Sequence, residues 1–103
     1  MSSIVTAYVT APSEFASELA EALVDERLAA CVNHFECRST YRWDGEVVHD
    51  DEVVLLIKTT ADRYGAVESR VETIHPHEVP CIERFDARDA FAPFADWVED
   101  SVE

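Results

Sequence analysis

Lysine is almost missing from this 103-residue chain: Lys58 stands alone, and the other seven cations are arginines. Eight Lys and Arg face 22 Asp and Glu, for a formal net charge of -14. A sequence-independent grip on nucleic acid comes from cations that neutralise phosphates, and anionic membranes make the same demand, so neither partner is expected. Glycine is scarce too, with Gly45 and Gly65 the only two, which leaves no glycine-rich phosphate loop. No Ser-His-Asp or Cys-His signature and no distinctive carboxylate pair stands out, so the reading is of a protein that is not an enzyme. Apolar runs are short. The stretch Val53 to Ile57 falls far below the roughly 18 residues that a membrane-spanning helix needs. The N-terminal text Met1-Ser2-Ser3-Ile4 lacks the basic-then-apolar pattern of an export signal, so a cytoplasmic location is expected. Cys31, Cys37 and Cys81 are an odd number in such a chain, which predicts reduced thiols in place of a disulfide framework.

What is present is enough apolar material to fold. Hydrophobic residues make up 48% of the chain, which excludes the composition of a disordered segment. The length suits one domain over residues 1–103. A folded, acidic, lysine-poor chain points to a high-salt, halophilic source: at molar salt the Debye length shrinks to about 3 Å, and the carboxylates cease to repel one another.

Residues Ile4 to Val9 are rich in β-branched and aromatic side chains and read as a first strand, closed by Thr10-Ala11-Pro12. From Ser13 the spacing of Phe15, Leu19, Ala22 and Leu23 predicts an amphipathic helix whose outer face carries Glu14, Glu18, Glu21 and Asp25. Cys31 to Thr60 contains no proline and is broken only by Asp44-Gly45, a strong hairpin signal. Two long strands are expected to pair across it. In the first arm Cys31, Asn33, Phe35, Cys37, Ser39, Tyr41 and Trp43 share a face. In the second, alternation disappears at Val53-Val54-Leu55-Leu56-Ile57, which predicts burial on both faces. A second helix follows with Tyr64, Val67, Val71 and Ile74 inward, stopped at His75-Pro76. Cys81 to Phe85 reads as a fourth strand. Asp89 to Val102 reads as a closing helix that holds Phe91, Phe94, Trp97 and Val98, with Pro93 in its first turn.

The order is β-α-β-β-α-β plus a terminal helix, an α+β, ferredoxin-like sandwich with two helices on one face of an antiparallel sheet. Its other face is left open, and a long hairpin with a doubly apolar strand calls for cover by a closed symmetric oligomer.

Five stretches, in order and spacing, resemble the CutA family: Leu28-Ala29-Ala30-Cys31-Val32-Asn33, Tyr41-Arg42-Trp43-Asp44-Gly45, Glu52-Val53, Leu56-Ile57-Lys58-Thr59-Thr60 and His75-Pro76-His77-Glu78-Val79-Pro80. The resemblance spans essentially the whole chain. It implies a homotrimer of ferredoxin-like subunits and a role in tolerance of copper and other divalent cations. It also implies kinship with the PII signalling proteins, and hence a second reading as a small-molecule sensor or adaptor. Copper ligands proposed in the family are Cys, His and Glu at positions matching Val9, Ile74 and Cys81, of which only Cys81 can ligate. The family's usual HPY, followed two residues later by Pro-Glu, is altered, with His77 in place of Tyr and Cys81 in place of Glu.

Two candidate sites follow. His75, His77 and Cys81 lie within seven residues, and thiolate with imidazole suits copper or zinc. The same residues also fit a structural role, with His75 capping the helix and Cys81 packing as a small apolar side chain. Tyr41, Trp43, Glu52 and Lys58 lie on the two arms of the hairpin and are candidates for an intersubunit cleft, the setting that small-molecule sites favour.

Overall fold

The computed structural model describes residues 3–103. Met1 and Ser2, part of the N-terminal text read above, lie outside the described residues. The elements are β1 (Ile4–Ala11), α1 (Ser13–Asp25), β2 (Cys31–Trp43), β3 (Glu46–Thr60), α2 (Tyr64–Ile74), β4 (Ile82–Asp86) and α3 (Ala92–Ser101). The expected order holds throughout. Strands β2, β3, β1 and β4 lie side by side in one antiparallel sheet.

The hairpin turns on Asp44 and Gly45, both at positive φ (50° and 78°), as a two-residue turn matched to strand twist requires. Its register runs without a bulge from Trp43 opposite Glu46 to Cys31 opposite Lys58. Thirteen paired residues carry this arm well past the helices, and the molecule measures 45 × 26 × 21 Å.

Directly paired residues share a sheet face. One face presents Ala7, Val9 and Ala11 of β1 with Val53, Leu55 and Ile57 of β3. These close against Ala16, Leu19, Ala20 and Leu23 of α1 and Val67 and Val71 of α2 to form the main core. The α1 expectation is right in kind and shifted in detail: Ala16 and Ala20 face the sheet, while Phe15 and Ala22 are half-buried at its margins. Arg70 of α2 holds Glu26, just past α1, in a bidentate ion pair at 2.8–3.2 Å. Chain direction after α1 reverses through Arg27 at φ 59°, with Leu28 N–H bonded to Leu23 C=O and Arg27 N–H to Val24 C=O.

The opposite face carries Tyr8, Thr10, Phe35, Cys37, Glu52, Val54, Leu56, Lys58 and Phe85, and α3 covers only one end of it. There Ile4 and Ala30 pack on Val98 and Val102. The last helix starts at Ala92, later than the expected Asp89, and the residues it was expected to hold divide between core and surface. Val98 is fully buried, but Phe91, Phe94 and Trp97 are exposed, because the contact runs along Ala95, Val98 and Val102 and leaves the aromatic stripe turned aside. Phe35 and Phe85, each 53% exposed, sit on the uncovered sheet.

Candidate functional site

The turn 75–80 begins where α2 stops. Pro76 disfavours helix at His75, whose N–H still bonds back to Val71 C=O at 2.8 Å while its own backbone turns extended. The ring of His75, 7% exposed, is used at both nitrogens. Nε2–H donates to Thr10 C=O at 2.7 Å, and Nδ1 accepts the His77 backbone N–H at 3.1 Å. That arrangement assigns the ring hydrogen to Nε2 and pins the turn to the end of β1. Both ring nitrogens, including the one lone pair that a metal could take, are thus engaged by structure. His77 is exposed, its ring tilted 59° to that of His75 at 4.9 Å. Cys81 precedes β4 and lies beside Thr10. Partial burial pushes its thiol above the usual range, a Thr10 hydrogen bond pulls the other way, and the nearby carboxylates of Glu83 and Glu52 push it up further. It is a protonated thiol near neutrality, and a metal must displace that proton. Among the described residues no three His, Cys, Asp or Glu side chains converge to hold a metal. Within one chain, then, His75, His77 and Cys81 are neighbours in sequence without forming a coordination site.

Sequence reasoning missed a different grouping. Tyr8 projects from β1 onto the open face, and its pKa is raised first by burial and then by Cys81, Cys37, Glu83 and Glu52. Two thiols from the opposite edges of the sheet, with two carboxylates, stand within electrostatic reach of one phenol. Glu52 is 6% exposed and opposite Cys37, and both line a cleft of about 510 Å³ beside Arg38 and Asp51. The only sequence signal for this group is matching parity along the strands and, for Cys81, just ahead of β4, and parity becomes a shared face once the β2-β3-β1-β4 register is known.

The four cleft candidates share the same open face but do not meet within the chain. Lys58 lies at the base of the hairpin, where its ammonium donates to Asn33 Oδ1. Tyr41 lies near the tip, where its hydroxyl donates to Asp50, the interaction that chiefly raises its pKa. Trp43 is exposed beside the turn. At roughly 3.4 Å per residue, the twelve steps from Cys31, opposite Lys58, to Trp43 span about 40 Å.

Residues 5–101 match the family described as CutA1 divalent ion tolerance protein. The chain belongs to the CutA1 family. It is 43% identical over 96 residues to the divalent-cation tolerance protein CutA of Thermus thermophilus, covering 91% of this chain and 93% of that one. Among solved CutA structures, that from Archaeoglobus fulgidus, described as periplasmic, superposes with a TM-score of 0.95 at 33% identity over 97% of this chain and 99% of that one. A PII-like protein CutA from Nostoc sp. PCC 7120 superposes at 0.93 with 28% identity, over 96% of this chain and 97% of the other. The four-stranded antiparallel sheet with three helices is thus the CutA fold. Among the described residues no helix is long and apolar enough to cross a membrane.

Chemically, the open CutA face offers soft thiols, hard carboxylates and a phenol on a rigid sheet, each contributing fewer ligands than a closed metal site requires. Exposed aromatics flank these groups.

Proposed function

We propose that the chain serves divalent-cation tolerance as a cytoplasmic homotrimer without catalytic activity of its own, capturing copper or another divalent cation where open sheet faces of different subunits meet. The observation that carries this reading is that Cys37, Glu52 and Glu83 share the open sheet face with Tyr8, with Cys81 beside them, all within electrostatic reach of its phenol. It supplies ligand types suited to copper or zinc on a surface whose exposed Phe35 and Phe85 require cover. A second copy of the chain provides that cover and adds its own ligands, His77 among them. With both nitrogens of His75 engaged, the local cluster reduces to His77 and Cys81.

Light scattering in molar KCl is expected to give a mass three times that of the 11.6 kDa chain, and Phe35→Asp is expected to reduce it while leaving the far-UV spectrum unchanged. A monomeric wild type overturns the assembly. Calorimetric titration with Cu(I), Cu(II) and Zn(II) is expected to show binding that Cys37→Ser together with Cys81→Ser removes. Undiminished binding in that double variant overturns the open-face site.

A second reading is favoured by the placement of Tyr41, Trp43, Glu52 and Lys58 along one face of an arm long enough to reach a neighbour. In a trimer the tip of one hairpin and the base of another form a cleft for a small anionic metabolite, as in a PII-like sensor or adaptor. A thermal-shift screen of metabolites in which hits vanish with Lys58→Met supports it; a screen without hits removes it.

A further inference from the structure

At the far end of the molecule from the hairpin tip, where β3 ends and α3 closes, lies a cavity of about 620 Å³ unrelated to the groups above. Four carboxylates, Asp62, Glu99, Asp100 and Glu103, line it against one guanidinium, Arg63. Arg63 is held at its wall, its Nε donating to the C=O of Val102, which also lines the cavity, at 2.8 Å. Acidic lining in so acidic a chain means little by itself. Two atoms set this cavity apart. Thr60 lines it and is only 2% exposed, yet its hydroxyl oxygen has no hydrogen-bond partner among the described residues. Glu99 lines it as well, and its Oε1 is likewise buried without a partner. A buried hydroxyl left without a partner is costly, and a buried carboxylate oxygen more so. The Glu99 carboxylate oxygen can only accept, the Thr60 hydroxyl oxygen can accept as well as donate, and in a negative field a cation held by both oxygens satisfies them together.

We propose that this cavity is a cation site, separate from the open sheet face and independent of its reading, which takes a hard, oxygen-seeking divalent ion of the magnesium or manganese type. The Thr60 hydroxyl and the Glu99 carboxylate are its protein ligands. Since no three acidic side chains converge there, the ion keeps much of its water shell, and the remaining carboxylates act through that water. The spent end of α3 adds partial negative charge from its last carbonyls.

Mn²⁺ is the probe, titrated into the full-length protein at fixed high ionic strength, with free ion counted by its electron paramagnetic resonance signal. One Mn²⁺ per chain is expected, displaceable by Mg²⁺. Thr60→Val and Glu99→Gln are each expected to weaken it by about tenfold or more, the scale of losing one supporting ligand. Thr60→Ser should bind as wild type, and Cys81→Ser should change nothing. In metal-free buffer Thr60→Val is expected to melt no lower than wild type, because it removes an unsatisfied hydroxyl without changing shape. Three results overturn the site: unchanged Mn²⁺ binding in both variants, a metal-free Thr60→Val that melts several degrees lower while binding normally, or equal thermal stabilisation by KCl at matched ionic strength.

Discussion

Arg27 holds a left-handed backbone conformation at the end of α1, where glycine is the ordinary choice. The two reversed hydrogen bonds around it require that conformation, so the residue bears the steric cost of its own Cβ. Arg27→Gly is expected to raise stability by about 0.5–1 kcal/mol, the balance of relieved strain against the greater freedom of an unfolded glycine. A urea midpoint that falls would refute it. The three tyrosines make a second residue-scale case. Tyr8 and Tyr64 are raised above 10 chiefly by burial, and Tyr41 chiefly by its bond to Asp50. A folded pKa above the unfolded one favours the protonated form. The stability each contributes is complete below pH about 10 and is lost as pH rises through the folded value. Absorbance at the phenolate band is therefore expected to lag behind that of the urea-unfolded chain as pH climbs, and coincident titrations would contradict the placement of all three.

At the scale of the element, β3 presents two different faces on one strand, one under the helices and one on the open side of the sheet. Leu55 is fully buried under α1 and α2, so Leu55→Ala is expected to cost about 3 kcal/mol whatever the assembly. Chemical denaturation at two protein concentrations checks this, since a cost that varied with concentration would place Leu55 in an interface between copies. The strand's doubly apolar text announced both surfaces, and Asp44-Gly45 announced the hairpin, because strand parity and turn chemistry are local. Helix α3 was legible as an element but not in its orientation. Phe94 and Trp97 satisfy helical spacing as well as Val98 does, and only the position of Ile4 and Ala30 decides which stripe turns inward. The candidate site divides in the same way. His75, His77 and Cys81 are close in sequence, but the demands of the turn claim both nitrogens of His75. The grouping around Tyr8 gathers residues more than seventy positions apart and depends on a sheet register that no local pattern encodes.

For the whole molecule the governing term is charge. Three ion pairs among the described residues engage Arg38, Arg70 and Arg84, against 22 carboxylates in the chain. The Arg38 pair is exposed at 4.0 Å and adds little. The proposed trimer brings together subunits that each carry a net -14, and Glu52, 6% exposed, lies on the face it would close. Hydrophobic cover of Phe35 and Phe85 favours that closure, while Coulomb repulsion among the copies opposes it. Salt shifts the balance: between about 0.1 M and about 1 M the screening length falls from about 10 Å to about 3 Å, shorter than most separations between surface carboxylates. Melting temperature and oligomer mass are therefore expected to rise together as KCl is raised over that range. The low-salt species should be monomeric and less stable. Phe35→Asp, with its apolar cover lost, should stay monomeric at every salt concentration. A wild-type melting temperature that is flat or falling with KCl would mean that the acidic surface is not what limits this fold, and a mass insensitive to salt would mean that apolar contact alone holds the copies together.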